Sequence, residues 1–221
     1  MRFRIIPAFL FFLFICLGSY AQIQVPFYSE ISRFKQADSL YPPQQGSILF
    51  IGSSSFTKWT DVQDYFPGYP ILNRGFGGST LLDLIRYTAD IVYPYHPKQI
   101  LIYCGENDLA SSDTLSPETL LSRFKFLIKL IRDKYPRIQV DYISMKPSPS
   151  RWSMRDRLMK GNSLIREFLK GQKNSSYINI YEAMLDKKGQ IRPELYLGDQ
   201  LHMKPEGYKI WKEIILPYLK K

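Results

Sequence analysis

Three consecutive serines, Ser53, Ser54 and Ser55, follow Gly52, and an Asp-x-x-His segment, Asp199-Gln200-Leu201-His202, lies near the carboxyl terminus. A serine hydroxyl is a weak nucleophile at neutral pH and needs an adjacent base, which histidine supplies near its own pKa. The chain holds two histidines, His96 and His202. The spacing of Asp199 and His202 lets one turn bring the carboxylate to one imidazole nitrogen, fixing tautomer and orientation, while the other nitrogen faces a serine. His96, in Tyr95-His96-Pro97, stands nine residues before Gly105. A strand running between them at about 3.3 Å per residue puts it roughly 20 Å or more from the edge where Gly105 falls, so His96 is read as structural. These residue types suit acyl transfer through a serine, with His202 as base and Asp199 as its orienter.

Such groups have to be delivered to one place by a rigid frame. Short apolar runs of strand length recur at Ser47–Ile51, Pro70–Asn73, Gln99–Cys104, Gln139–Ser144 and Tyr177–Tyr181. Their continuous apolar character fits burial on both faces of a parallel sheet. Helix signatures lie between them. Thr80 and Asp83 form a capping-box start for a segment running from Leu81 to Tyr93, which Pro94 ends. Ser116-Pro117-Glu118 pairs a cap with proline at the first helical position, and Leu120, Phe124, Leu127, Ile128 and Ile131 follow on one face. Leu158, Leu164, Ile165, Phe168 and Leu169 mark a further helix, and Pro205 opens the last, with Tyr208, Trp211, Ile215 and Leu219 at helical spacing. This alternation predicts an α/β three-layer sandwich, a five-stranded parallel sheet with helices on both faces. Residues 22–46 read as an N-terminal helix and connector, and 47–221 as the main domain, with no repeat or interdomain linker.

In an open parallel sheet, ligands bind beyond the carboxyl ends of the strands, in the turns that follow them. Four turns there carry polar groups: Gly52-Ser53-Ser54-Ser55, Gly75-Phe76-Gly77-Gly78-Ser79, Gly105-Glu106-Asn107-Asp108 and Asp199-Gln200-Leu201-His202. These blocks, in this order, resemble the SGNH/GDSL-type serine esterases and acylhydrolases, over about Ile48 to Tyr208. The resemblance implies the flavodoxin-like SGNH hydrolase fold, and it implies Ser54 as nucleophile with Asp199 and His202 completing the catalytic set. It places the oxyanion donors at the Ser54 amide, the Gly78 amide and the Asn107 side chain. Ser53 departs from the family pattern, which has aspartate there; that aspartate is not the reacting group, so the implied mechanism stands. No cofactor is implied. Glu106 and Asp108 are read as turn or supporting groups.

The segment from Lys146 to Lys160 is dense in positive charge, and a solvated helix face accounts for it, with a substrate-facing rim as the alternative. Arg151 and Trp152 are the candidate substrate-binding residues; Trp59 and Tyr103 suit an acceptor site or the core equally. Cys104, inside an apolar run, is expected to be buried. Two cysteines and two histidines give no cluster of the structural zinc type. Gly75-x-Gly77 lacks the third glycine of a dinucleotide fingerprint, Thr80 standing in its place, and no nucleic-acid motif accompanies the charge.

The chain opens with Met1-Arg2-Phe3-Arg4, an apolar run from Ile5 to Leu17, and Ser19-Tyr20-Ala21. This reads as a secretory signal peptide over residues 1–21, cleaved after Ala21. Thirteen apolar residues at about 1.5 Å each span roughly 20 Å, short of a bilayer's hydrocarbon core, which weighs against the alternative of an uncleaved anchor, and no stable membrane insertion is expected once the leader is removed. Losing Arg2 and Arg4 lowers the formal charge from +10 to +8. The expectation is a secreted or periplasmic esterase taking short acyl groups, above all acetyl, from small-molecule or glycan esters. A phospholipid or lysophospholipid acylhydrolase and a noncatalytic glycan-binding relative are the alternatives.

Overall fold

The computed structural model describes residues 25–221, and the apolar leader lies outside the described residues. Five parallel strands form one sheet: β1 (Ile48–Gly52), β2 (Ile71–Gly75), β3 (Gln99–Tyr103), β4 (Gln139–Ile143) and β5 (Ser175–Ile178), in the order β2-β1-β3-β4-β5. The helices are α1 (Tyr28–Leu40), α2 (Ser54–Thr57), α3 (Val62–Tyr65), α4 (Leu81–Ile91), α5 (Glu106–Ala110), α6 (Pro117–Lys134), α7 (Arg155–Lys170) and α8 (Pro205–Ile215). Among the described residues no helix is long and apolar enough to cross a membrane.

Alternation along each strand divides two cores. Leu49, Ile51, Ile100, Ile102, Val140 and Tyr142 face one side, where they pack with residues of α1, α4, α6 and α7. Ile48, Phe50, Leu101, Tyr103 and Ile143 face the other, against Phe56 of α2, Val62 of α3 and Trp211 and Ile215 of α8. Both faces being covered explains why the strands read as unbroken apolar runs. Helix starts follow local chemistry: Thr80 and Asp83 make the reciprocal capping box of α4, and the Ser116 hydroxyl accepts the Thr119 amide ahead of Pro117 in α6.

The edge strand β5 begins two residues earlier than the apolar run suggests, at Ser175. Ile180 and Tyr181 are buried without joining the ladder, the Ile180 amide being satisfied by Ser144 Oγ at 3.0 Å. The chain leaves β1 for β2 on one side and returns to β3 on the other, so the crevice between the carboxyl ends of β1 and β3 is the topological switch point of the sheet.

Candidate active site

That crevice is lined by Ser53, Ser54, Ser55, Tyr103, Cys104, Gly105, Glu106 and Asn107. Gly52 makes the approach possible. Its φ is +150°, and a Cβ there would sit 2.0 Å from the Tyr103 carbonyl oxygen, so only glycine lets β1 end this close to β3. The next amide, of Ser53, donates to the same carbonyl at 3.0 Å, and Ser54 follows as the first residue of α2, half-buried. As first helical residue it has an amide with no intrahelical acceptor. The Tyr208 hydroxyl of α8 donates to the Ser55 carbonyl at 2.8 Å and fixes the turn from the other side.

Gly78 stands exposed in the loop between β2 and α4 with φ +85°, a conformation that favours glycine; a Cβ there would meet only the Phe27 ring, at 3.9 Å. Phe27, just ahead of α1, packs edge-on against Phe76 at 5.2 Å and so forms one wall beside the Gly78 loop. No sequence signal pointed to it, because its neighbour lies some fifty residues away.

Asn107 is the hub of the crevice. Its Nδ2 donates to Ser53 Oγ at 2.6 Å and to the Ser79 carbonyl at 3.0 Å, and its Oδ1 accepts from an Arg151 nitrogen at 2.7 Å. Asp108 is buried and accepts from the Leu81 amide at 2.9 Å and from Arg123 at 2.7 Å, tying α5 to the start of α4 and to α6. Glu106 is buried as well, within 3.1 Å of Lys146 Nζ and 3.2 Å of Arg151, and it accepts from the Tyr103 hydroxyl. Burial pushes its carboxyl up, but the charges of Lys146 and Arg151 outweigh that and hold it below the usual carboxylate range.

Asp199 and His202 occupy a tight turn between Tyr196 and Met203, which pair in an antiparallel bridge. Asp199 Oδ1 accepts from the amides of Leu201 at 3.0 Å and His202 at 2.9 Å, while Oδ2 lies 2.6 Å from His202 Nδ1. The ring hydrogen bond first, then the two amides, holds the Asp199 carboxyl well below the usual range. With Nδ1 occupied by the carboxylate, Nε2 is left as the basic nitrogen. The turn is anchored to the rest of the edge: the Ser150 amide donates to the Gln200 carbonyl at 3.1 Å, and the Tyr196 hydroxyl donates to the Pro147 carbonyl. Among the described residues Ser54 Oγ makes no hydrogen bond, and the His202 ring is bonded to Asp199.

The structure brings Ser54 and Asn107 together in one crevice, with the Gly77-Gly78 loop beside Ser54, and it pairs Asp199 with His202 on a turn whose Gln200 carbonyl is bonded to Ser150, next to Arg151. His96 lies at the opposite edge, its carbonyl accepting the Gly46 amide ahead of β1. Arg151 comes to the site, but its guanidinium is turned onto Asn107 and Glu106. Trp152 lies outside the crevice, with Arg155 over its ring at 5.0 Å, in a cleft of about 300 Å³ shared with Pro149, Gln190, Ile191 and Pro193.

Of the two readings of Trp59 and Tyr103 the core one holds: Trp59 stacks on Tyr208 at 4.7 Å, and Tyr103, at the floor of the crevice, is 3% exposed. One expectation needs correction. The charged segment from Lys146 is not one solvated helix face: Lys146 is 2% exposed, and α7 begins only at Arg155, after a 3-10 turn over Pro149–Met154. The signal that finds Lys146 is positional, since it follows β4 as Glu106 follows β3, and these strands are in-register neighbours.

Residues 47–210 match the profile of the GDSL-like lipase/acylhydrolase family. No curated protein matches the sequence significantly. Among solved structures, a protein from Streptococcus pneumonia assigned as a platelet activating factor superposes with a TM-score of 0.76 at 20% identity, over 87% of this chain and 92% of its own. A GDSL-like lipase from Bacteroides thetaiotaomicron gives 0.71 at 20% identity, over 85% and 96%. A catalytic mutant of an acetylxylan esterase from Geobacillus stearothermophilus gives 0.62 at 16% identity, over 79% and 94%. At these identities the likeness is one of fold.

Proposed function

The chain belongs to the GDSL-like lipase/acylhydrolase family and is an ester hydrolase; within that class we propose that it is an exported enzyme that removes short acyl groups, above all acetyl, from carbohydrate esters through Ser54, His202 and Asp199. The observation that carries the mechanism is the 2.6 Å contact of Asp199 with His202 Nδ1, on a turn bonded through Gln200 to Ser150, beside the Arg151 that reaches Asn107. His202 Nε2 takes the Ser54 proton as Oγ attacks the ester carbonyl. The oxyanion is received by the Ser54 and Gly78 amides and by Asn107 Nδ2, with the substrate oxygen replacing Ser53 Oγ as the acceptor of one Asn107 proton; each such donor lowers the barrier by about 3 kcal/mol. His202 then returns the proton to the leaving alcohol, and water repeats the sequence on the acyl-enzyme.

A cleft of about 970 Å³ between Tyr65, Tyr69, Lys209 and Lys212 adjoins the segment that enters β2 and so lies at the other end of the sheet, away from Ser54. The half-buried Trp152 ring beside Gln190 offers an aromatic face of the kind that suits a sugar. Export is supported by the leader in the sequence. The test is acetate release from acetylated oligosaccharides, beside 4-nitrophenyl esters of increasing chain length, by wild type, Ser54→Ala and His202→Ala. Activity that depends on both residues and collapses beyond propionyl is expected. Rates that rise with chain length, or release of fatty acid from phospholipid, would replace the carbohydrate reading with a lipid one.

A further inference from the structure

Arg151 has the residue type of a substrate anchor, yet two of its guanidinium nitrogens are already engaged within the protein. One guanidinium nitrogen lies 2.7 Å from Asn107 Oδ1 and another 3.2 Å from Glu106 Oε2, and the side chain is 16% exposed. Behind it the Lys146 ammonium, almost fully buried, reaches both Glu106 oxygens at 3.2 and 3.1 Å. Two cations therefore share one carboxylate. The adjacent Asp108 does not cancel the excess, because it is paired with Arg123.

Two consequences follow for Asn107. A guanidinium N–H accepts nothing and the Ser79 carbonyl donates nothing, so the carboxamide turns its oxygen to Arg151 and its NH2 group to Ser79 and Ser53. A cation bonded to the amide oxygen also draws electron density from the nitrogen and strengthens its N–H groups as donors. We propose that Arg151 is a positioning residue for ester hydrolysis, which orients and polarises the Asn107 amide as an oxyanion donor, with Glu106 and Lys146 as its buried support. This rests on the reading of Asn107 given above. The planar fork is needed because it spans Glu106 and Asn107 at once, which a lysine ammonium does not reproduce.

The test compares wild type, Arg151→Ala, Arg151→Lys and Ser54→Ala on 4-nitrophenyl acetate, with kcat and KM resolved. It adds guanidinium chloride at millimolar concentration and the affinity of an alkylboronate that forms a tetrahedral adduct on Ser54. The expected result for Arg151→Ala is a kcat loss of about 10- to 100-fold, since a donor displaced by about 1 Å costs that order, with KM within about twofold. Boronate affinity falls in parallel, guanidinium restores part of kcat, and Arg151→Lys remains impaired. Unchanged kcat in both variants, a loss confined to KM, or a loss that guanidinium does not reverse would each overturn the proposal. If Arg151→Ala does not fold, Arg151→Lys is read alone by its kcat and boronate affinity. A wild type no faster than Ser54→Ala would instead refute ester hydrolysis through Ser54.

Discussion

The proposed donor side of the site, built on Ser53, Asn107, Glu106, Lys146 and Arg151, and the proposed base side, Asp199 with His202, are held by different means. On the donor side the partners lie 40 to 54 residues apart in the chain and are largely buried. On the base side the side-chain contacts between Asp199 and His202 stay within three residues, and the Asp199 side chain is 46% exposed, although that of His202 is 16% exposed. Long-range buried contacts make a group part of the core as well as part of the chemistry. A local turn carries chemistry that is nearly separable from stability. The base side is therefore expected to lose activity without unfolding, and the donor side to lose stability when its charges are disturbed.

The largest effect tests the first half of that contrast. His202→Ala is expected to lower kcat/KM by about 10⁴-fold or more, because serine, histidine and carboxylate act as one unit. Its unfolding free energy should change by no more than about 1.5 kcal/mol, the order of one hydrogen bond, since the Asp199 partner it leaves is half in water. Rates on 4-nitrophenyl acetate and urea unfolding of the same preparation measure both. A loss of several kcal/mol would show that the turn is also structural.

Glu106→Gln tests the second half. It leaves Lys146 and Arg151 facing a neutral amide in a buried place, and breaking such a cluster by removing one partner costs about 3–5 kcal/mol. At about 2–4 °C per kcal/mol for a domain of this size, the melting temperature is expected to fall by about 6–20 °C. A shift of a degree or less would mean that the cluster is not a stabilising element.

The same contrast explains what was legible in the sequence. Asp199 and His202 could be read together because their partnership is local, and β1 to β4 could be placed to within two residues because strands covered on both faces are unbroken apolar runs. β5 was misplaced because an edge strand opens on Ser175 and Ser176, while the apolar Ile180 is buried by packing beyond the ladder. The burial of Lys146 was hidden for a related reason: a charge run looks solvated until its partner is known, and Glu106 lies 40 residues away. In-register pairing of β3 and β4 brings the residues that follow them together, so the order of the strands, once known, makes the pair readable.

Asn107→Ala sits between the two sides and should show both effects. Loss of one oxyanion donor is expected to reduce kcat by about 10²- to 10³-fold. Loss of the bonds to the Ser79 carbonyl and Arg151 should lower stability by about 1 kcal/mol. Steady-state kinetics with thermal unfolding checks the combination, and an unchanged kcat would remove Asn107 from the donor set.

The smallest effect concerns Asp199, and it separates a strong pKa shift from a strong contribution to stability. The His202 ring and then the His202 and Leu201 amides favour the ionised carboxyl, so its native pKa lies well below the unfolded value of about 3.9. A depressed carboxyl stabilises the fold fully above the unfolded value, and that contribution declines as the pH falls below it toward the native pKa. Because half the side chain is in water, screening keeps the contribution at neutral pH below about 1 kcal/mol. Carboxyl-detected NMR is expected to show no Asp199 inflection between pH 4 and 8, and the stability difference between wild type and Asp199→Asn should be small at pH 7 and shrink below about pH 3.9. An inflection near pH 4, or a cost at neutral pH as large as that of Glu106→Gln, would erase the distinction between a locally held base side and a core-embedded donor side.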